Sequence, residues 1–270
     1  LDPNIRIKTG FNLGIPISTF QNLATKIGIN VGTAIASANP AQSKADDFVL
    51  AGFERVSKKD LAGSVSEFSK AIAIKPKLVT AWVWRGTCLL LMGDFQKAIT
   101  NLNGAIAQKK KKVEAYVHRA SAYAQLGNRA QTIADLDRAV SLNSQSAFVY
   151  SSSCSLKFQV GDLRGAIEDC NRAIQFNPQD SLIYLNRGMA RLGLGDRLGA
   201  LTDYNRSINR DRSVPNAYYS RGLLKMELED RQGANADLQA AAKLYLKFNN
   251  KAKYQLTLGK ITELENGKSD

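Results

Sequence analysis

The sequence predicts an all-α fold of stacked antiparallel helix hairpins, and three observations predict it. The first is a period. Residues 184–208 read YLNRGMARLGLGDRLGALTDYNRSI, and the same pattern begins 34 residues earlier at Tyr150 and 34 residues later at Tyr218. A fixed repeat of this length that carries two helical patterns is the signature of a stacked helical array. The second is the return of small residues to the same places in each copy. The third is a turn of Gly followed by Asp or Asn between the two helical patterns.

A 34-position frame counted from Ala45 brings six copies into register without insertion or deletion: 45–78, 79–112, 113–146, 147–180, 181–214 and 215–248. Position four is always aromatic: Phe48, Trp82, Tyr116, Tyr150, Tyr184 and Tyr218. Position eight is always small: Gly52, Gly86, Ala120, Cys154, Gly188 and Gly222. Position 27 is Ala71, Ala105, Ala139, Ala173, Ser207 and Ala241. Glycine inside a helix costs about 1 kcal/mol relative to alanine, so its recurrence calls for a neighbouring helix that needs the space. The ring at position four then covers the seam.

The turns are built from Gly93-Asp94, Gly127-Asn128, Gly161-Asp162 and Gly195-Asp196. Glycine supplies the left-handed end of one helix and the following Asp or Asn caps the next. Pro76 and Pro178 fall where a second helix must stop. On these residues, over 45–248, the chain resembles the tetratricopeptide repeat family. The resemblance implies a right-handed superhelical solenoid whose concave groove is lined by the first helix of each repeat. Lys110, Ser144, Arg212 and Leu246 stand where the family often has proline, and Glu229 replaces the turn glycine of repeat six, so the second helix of that repeat is expected to run on.

Three segments follow. Residues 1–44 form an N-terminal arm, irregular over 4–16 and with a helix expected over 19–38, where Phe20, Leu23, Ile27, Val31 and Ile35 recur at helical spacing. A targeting remnant ending at Ala36-Ser37-Ala38 is the other reading of that stretch; Gly28, Asn30 and Gly32 interrupt its apolar run and favour the arm. Asn39 to Ser43 is the expected linker. Residues 45–248 hold the repeats, and 249–270 a capping helix with a frayed tail, because the last repeat of such an array exposes a face that must be covered.

Composition narrows the function. The 270 residues contain 44% hydrophobic side chains, ample for a core, but no run long enough to cross a membrane. Net charge is +13, concentrated in the N-terminal segment and in repeats two and five. Lys109, Lys110, Lys111 and Lys112 form the one charge run, a basic patch suited to a helix end and open to an acidic partner, RNA or an anionic surface. Cys88, Cys154 and Cys170 fall on helix faces and read as buried thiols; a Cys154–Cys170 bridge inside repeat four is the alternative.

A second ladder places Arg85, Arg119, Arg187 and Arg221 at position seven and Glu67, Asp135, Asp169, Asp203 and Asp237 at position 23. Pairing within a repeat gives Arg119–Asp135, Arg187–Asp203 and Arg221–Asp237. Pairing to the next repeat gives Glu67–Arg85, Asp169–Arg187 and Asp203–Arg221. Sequence leaves both registers open.

Catalytic chemistry finds no support. The single histidine, His118, has no partner in sequence, and neither metal-type Cys/His spacing nor a phosphate-binding glycine loop occurs. The expectation is a protein that is not an enzyme and carries no cofactor or metal. The resemblance implies instead a protein-binding groove of Val49, Phe53, Val83, Trp84, Val117, His118, Phe158, Leu185, Asn186, Met189, Tyr219, Leu223 and Met226. Those positions lack the basic residues with which members of the family hold a terminal carboxylate. The expected partner is a protein presenting an apolar segment or an acidic surface, and the expected role is to assist assembly of a larger complex. The alternatives are a basic linker subunit built permanently into a multiprotein assembly, photosynthetic assemblies included, and anchored by residues 1–44, or binding of RNA or an anionic membrane surface through the basic patch. Nucleic acid is disfavoured because basic residues are not interleaved with aromatic ones. The cytoplasm is the expected location unless the natural N-terminus carries a targeting segment.

Overall fold

The computed structural model describes residues 40–266, and these residues form helices joined by short turns. The helix expected over 19–38, the irregular segment over 4–16 and the tail at 267–270 lie outside the described residues. In chain order the helices are α1 (Pro40–Ser57), α2 (Leu61–Ile74), α3 (Val79–Leu91), α4 (Phe95–Gln108), α5 (Val113–Gln125) and α6 (Arg129–Leu142). They continue with α7 (Ala147–Gln159), α8 (Leu163–Phe176), α9 (Ser181–Gly193), α10 (Arg197–Arg210), α11 (Pro215–Glu227), α12 (Arg231–Lys247) and α13 (Lys251–Asn266). The linker expected at 39–43 is instead the first turn of α1 from Pro40 onward. Proline suits that position because the first N–H groups of a helix have no partner inside it.

Contacts between helices divide these elements into two compact units, one ending at Ser144 and the other beginning at Gln145. In the first, α1 packs on α2, α3 on α4 and α5 on α6, and each hairpin leans on the next. In the second, α7–α8, α9–α10 and α11–α12 pair in the same way, and α13 packs on α12.

The small residues at position eight are explained by what a side chain there would meet. A Cβ on Gly188 would stand 2.7 Å from the Tyr204 ring, and one on Gly52 would stand 2.7 Å from Phe68. Phe68, Leu102, Leu136, Tyr204 and Leu238, all at position 24, have no solvent exposure. The core of each of these hairpins is thus a large residue of the second helix seated where the first helix carries Gly or Ala.

The turn glycines behave as the sequence implies. Gly93, Gly127, Gly161 and Gly195 have φ between 71° and 85°. Lys59 and Glu229 take the same left-handed conformation, at φ 63° and 62°. The turn before α12 therefore survives without glycine. α12 runs to Lys247, 17 residues against the 14 of the preceding second helices, as expected for repeat six.

The caps show a finer rule. Asp60, Asp162, Asp196 and Asp230 accept a hydrogen bond from the backbone N–H three residues on, and that residue is Gly63, Gly165, Gly199 or Gly233. A Cβ on any of these glycines would run into the aspartate. Asp94 and Asn128, followed three residues on by Lys97 and Gln131, make no such side-chain bond.

The ion-pair ladder takes the within-repeat register. Arg119 reaches Asp135 through Nε at 2.7 Å and a terminal nitrogen at 2.6 Å. Arg187 holds Asp203 at 2.9 and 2.6 Å, and Arg221 holds Asp237 at 2.7 and 2.5 Å. The register across repeats is absent: Glu67 pairs with Lys70 and Arg55, and Asp169 is held by Ser153 and Lys157. Each guanidinium has a further partner on the preceding repeat, Asn103 for Arg119, Asn171 for Arg187 and Asn205 for Arg221, at 2.5 to 2.7 Å. Arg85 uses Asn101 and Ser69 in the same two roles. One planar fork thus ties three helices together.

The cysteines correct an expectation. Cys154 and Cys170 are joined in a disulfide, and only Cys88 is a free, buried thiol among the described residues. Burial pushes the Cys88 thiol up to about 12, so it is inert as a nucleophile at neutral pH.

Candidate partner-binding groove

The thirteen residues expected to line a groove all lie on first helices, but burial divides them. Val49, Val83, Trp84, Val117, His118 and Leu185 are buried, whereas Phe53, Phe158, Asn186, Met189, Tyr219, Leu223 and Met226 are half-buried. None is fully exposed, so each of them also packs within the fold. Trp84 shows why. It is 7% exposed and meets Phe53 edge-to-face at 5.2 Å in a cluster with Val49, Val56 and Phe68. Helical spacing puts position six towards the first helix of the preceding hairpin, and a large ring there fills the space between the two. Phe53 in turn packs on Phe68 at 5.5 Å.

His118 is 6% exposed, and burial holds its imidazole down at about 4, against the pull of the neighbouring Glu114. It is therefore neutral at pH 7 and sits in the core of the first unit.

The half-buried residues concentrate in the second unit. There α7 carries Phe158, α9 carries Asn186 and Met189, and α11 carries Tyr219, Leu223 and Met226. They form an apolar strip on the first-helix face, accompanied by the half-buried hydroxyls Ser151, Ser155 and Ser220. Charged groups near the strip are engaged elsewhere: Arg191 with Asp203, and Arg197 with Glu227. Such a surface can bury an apolar side chain and offer hydroxyl or amide hydrogen bonds, with Glu229, Arg231 and Glu263 bordering it at Met226.

Lys109, Lys110 and Lys111 are exposed in the turn between α4 and α5, and Lys112 pairs with Glu114 at 3.1 Å. Tyr116 donates its hydroxyl to the Lys110 carbonyl, as Tyr184 does to Pro178 and the Trp82 indole does to Pro76. In repeats two, three and five the position-four residue therefore closes the turn that precedes it, a role beyond covering the seam. Sequence reasoning also passed over an exposed row: Met92, Leu126, Leu194 and Leu228, each 42–48% exposed, end the first helices at position 14. Their common place in the frame was the signal that could have found them.

Among the described residues no group of three or more His, Cys, Asp and Glu side chains is placed to hold a metal ion, and no helix is long and apolar enough to cross a membrane.

The family model described as "Tetratricopeptide repeat" matches residues 113–146, which are α5, α6 and their turns. The fold is that of tetratricopeptide repeat proteins. A tetratricopeptide repeat protein from Parabacteroides merdae ATCC 43184 is similar with a TM-score of 0.65 at 20% identity, over 89% of this chain and 99% of that one. Cut9 with Hcn1, from the APC/C hetero-tetramer, matches with a TM-score of 0.67 at 15% identity over 84% of this chain. Only 43% of that structure's chain is covered, so this chain spans less than half its length. YrrB, described as a tetratricopeptide repeat protein with an unusual peptide-binding site, matches with a TM-score of 0.53 at 15% identity over 76% of this chain and 98% of that one. No curated protein matches by sequence.

Proposed function

We propose that this chain is a non-enzymatic interaction scaffold that binds an apolar segment of a partner protein and assists assembly of a larger complex. The observation that carries the reading is the strip of Phe158, Met189, Tyr219, Leu223 and Met226, large side chains left half-buried on three first helices of one unit. Contiguous apolar surface of this kind on a folded protein marks an interaction site more often than chance. Aromatic and methionine side chains are also those enriched at protein interfaces. The peptide-binding site named for YrrB, on the same fold, supports the choice of a peptide-like ligand. The six buried residues, Val49, Val83, Trp84, Val117, His118 and Leu185, belong to the packing beneath the first-helix face rather than to its contact surface.

The test is site-specific photo-crosslinking in an extract of the native source. A photoreactive side chain at Leu223 or Met189 is expected to capture a protein, whereas one at the exposed Arg206 on α10 is not. The Phe158→Ala/Met189→Ala double variant should then weaken binding of the captured partner by roughly 2 kcal/mol. Equal capture from Leu223 and Arg206, or unchanged affinity in the double variant, would overturn the assignment.

A further inference from the structure

Repeat four is built differently from its neighbours. In four of the repeats position eight is glycine, and a Cβ placed there would stand 2.7 Å from Phe68, 2.9 Å from Leu102, 2.7 Å from Tyr204 and 3.0 Å from Leu238. Those hairpins close because the first helix gives up its side chain and the second fills the space. Repeat three keeps the pattern with Ala120 and Leu136. In repeat four both places are cysteine: Cys154 on α7 and Cys170 on α8, each without solvent exposure, their Cα atoms 5.1 Å apart and their sulfurs bonded. The same hairpin also lacks the arginine fork, since Ser153 stands at position seven. Asp169 is held by that hydroxyl at 2.5 Å and by the Lys157 ammonium at 2.9 Å.

Reduction removes the covalent tie between α7 and α8 and leaves two thiols, without solvent exposure, at a contact that four other hairpins close with glycine against a large side chain. The hairpin is then held by neither the crosslink nor a bidentate arginine, but by the Ser153 and Lys157 contacts to Asp169.

We propose that Cys154 and Cys170 form a reversible redox site that locks the α7–α8 hairpin when oxidised and loosens it when reduced. The reagent it takes is a dithiol, either a small molecule or a thiol–disulfide oxidoreductase. One S–S bond breaks in the chain and one forms in the reagent, and two electrons and two protons pass to Cys154 and Cys170. Because both sulfurs are enclosed, exchange requires the hairpin to open first, so the reaction is slow until opening is favoured. Phe158 lies one helical turn beyond Cys154 on α7, so the state of this hairpin also sets the position of one end of the apolar strip.

The experiment is amide hydrogen exchange on the full chain, with and without dithiothreitol, beside a thiol count under denaturing conditions. The oxidised protein should show one reactive thiol, from Cys88, and the reduced protein three. Reduction should lower protection over residues 147–176 by at least tenfold and leave α11 and α12 unchanged. The double variant Cys154→Gly/Cys170→Leu, which installs the pair of repeat two, should fold and exchange identically with and without reductant. Three reactive thiols in the air-oxidised protein, equal protection in both states, or a double variant that responds to reductant as the native chain does would each overturn the proposal. None of these outcomes depends on the binding of a partner, so this site and the groove stand or fall separately.

Discussion

Arg187 joins three helices with one side chain, two nitrogens on Asp203 and a third on Asn171, and Asp203 has no solvent exposure. Removing one member of a buried pair strands the other, at about 3–5 kcal/mol. Arg187→Leu should therefore lower stability by about 3 kcal/mol in denaturant unfolding, although Arg191 still reaches Asp203 at 2.7 Å. The exposed Glu54–Lys58 pair is the control, and Glu54→Gln should leave the unfolding midpoint unchanged. His118 gives a pH-dependent counterpart. Its folded value, held by burial at about 4, lies below the unfolded 6.5, so between these the unfolded chain takes up the proton first. Stability should fall as pH drops from about 6.5 to about 4, by up to about 3 kcal/mol from this group, and be unaffected by it above that range. His118→Gln should flatten the profile over that window relative to the native chain; identical slopes would show that His118 is not the group responsible. The sequence announced the arginines and carboxylates of the ladder, since both recur at the period. It left the register open because Asp203 lies between Arg187 and Arg221, while Asp135 and Asp237 have a ladder arginine only within the repeat and Glu67 and Asp169 only across it. Asn103, Asn171 and Asn205 went unnoticed because a small amide on a helix looks the same whether it faces water or a guanidinium. Trp84 was read as surface for a related reason: the repeat period places position six on the first-helix face but does not say how closely the next hairpin covers it.

At the scale of the helix and its turns, the cap rule separates aspartates that look equivalent in sequence. Asp196 accepts from the Gly199 N–H at 2.9 Å, whereas Asp94 makes no side-chain cap bond and pairs with Lys97. Asp196→Ala should cost about 1 kcal/mol, as loss of an N-cap does, and Asp94→Ala appreciably less. Thermal unfolding of the two variants side by side checks this, and equal losses would mean that the cap bond is not the source. Glycines sort in the same manner. Gly188→Ala would place a Cβ 2.7 Å from the buried Tyr204 ring and should cost about 1–3 kcal/mol through overpacking. Glu229 holds a left-handed turn at φ 62°, where glycine is unstrained, so Glu229→Gly should instead raise stability by about 1 kcal/mol. The hairpins themselves were legible because backbone requirements restrict the residue: a left-handed turn or a close helix contact accepts few side chains, and those few recur. The disulfide was less legible. Cysteine at a core position serves equally well as a small apolar residue, and only the meeting of positions eight and 24 across the hairpin makes Cys154 and Cys170 neighbours.

For the molecule as a whole, the net charge of +13 and the apolar strip point to different kinds of partner, and salt distinguishes them. Lys109, Lys110 and Lys111 are exposed, whereas Lys112 is occupied by Glu114. A polyanion held by three such lysines would lose affinity with a slope of about −2.7 in log K against log salt, from about 0.9 per neutralised phosphate. The five side chains of the strip, Phe158, Met189, Tyr219, Leu223 and Met226, carry no charge, and charges of both signs, Glu229, Arg231 and Glu263, border it at Met226. Burial of apolar surface is not screened by salt, and strongly hydrated anions such as sulfate strengthen it. Partner affinity should therefore stay within about twofold between 50 and 200 mM sodium chloride and rise in sodium sulfate. The same affinity should be unchanged in a Lys109→Gln/Lys110→Gln/Lys111→Gln variant and fall in Phe158→Ala/Met189→Ala. A steep salt slope that disappears in the lysine variant would transfer the interaction to the turn between α4 and α5, and with it the class of partner from an apolar protein segment to a polyanion.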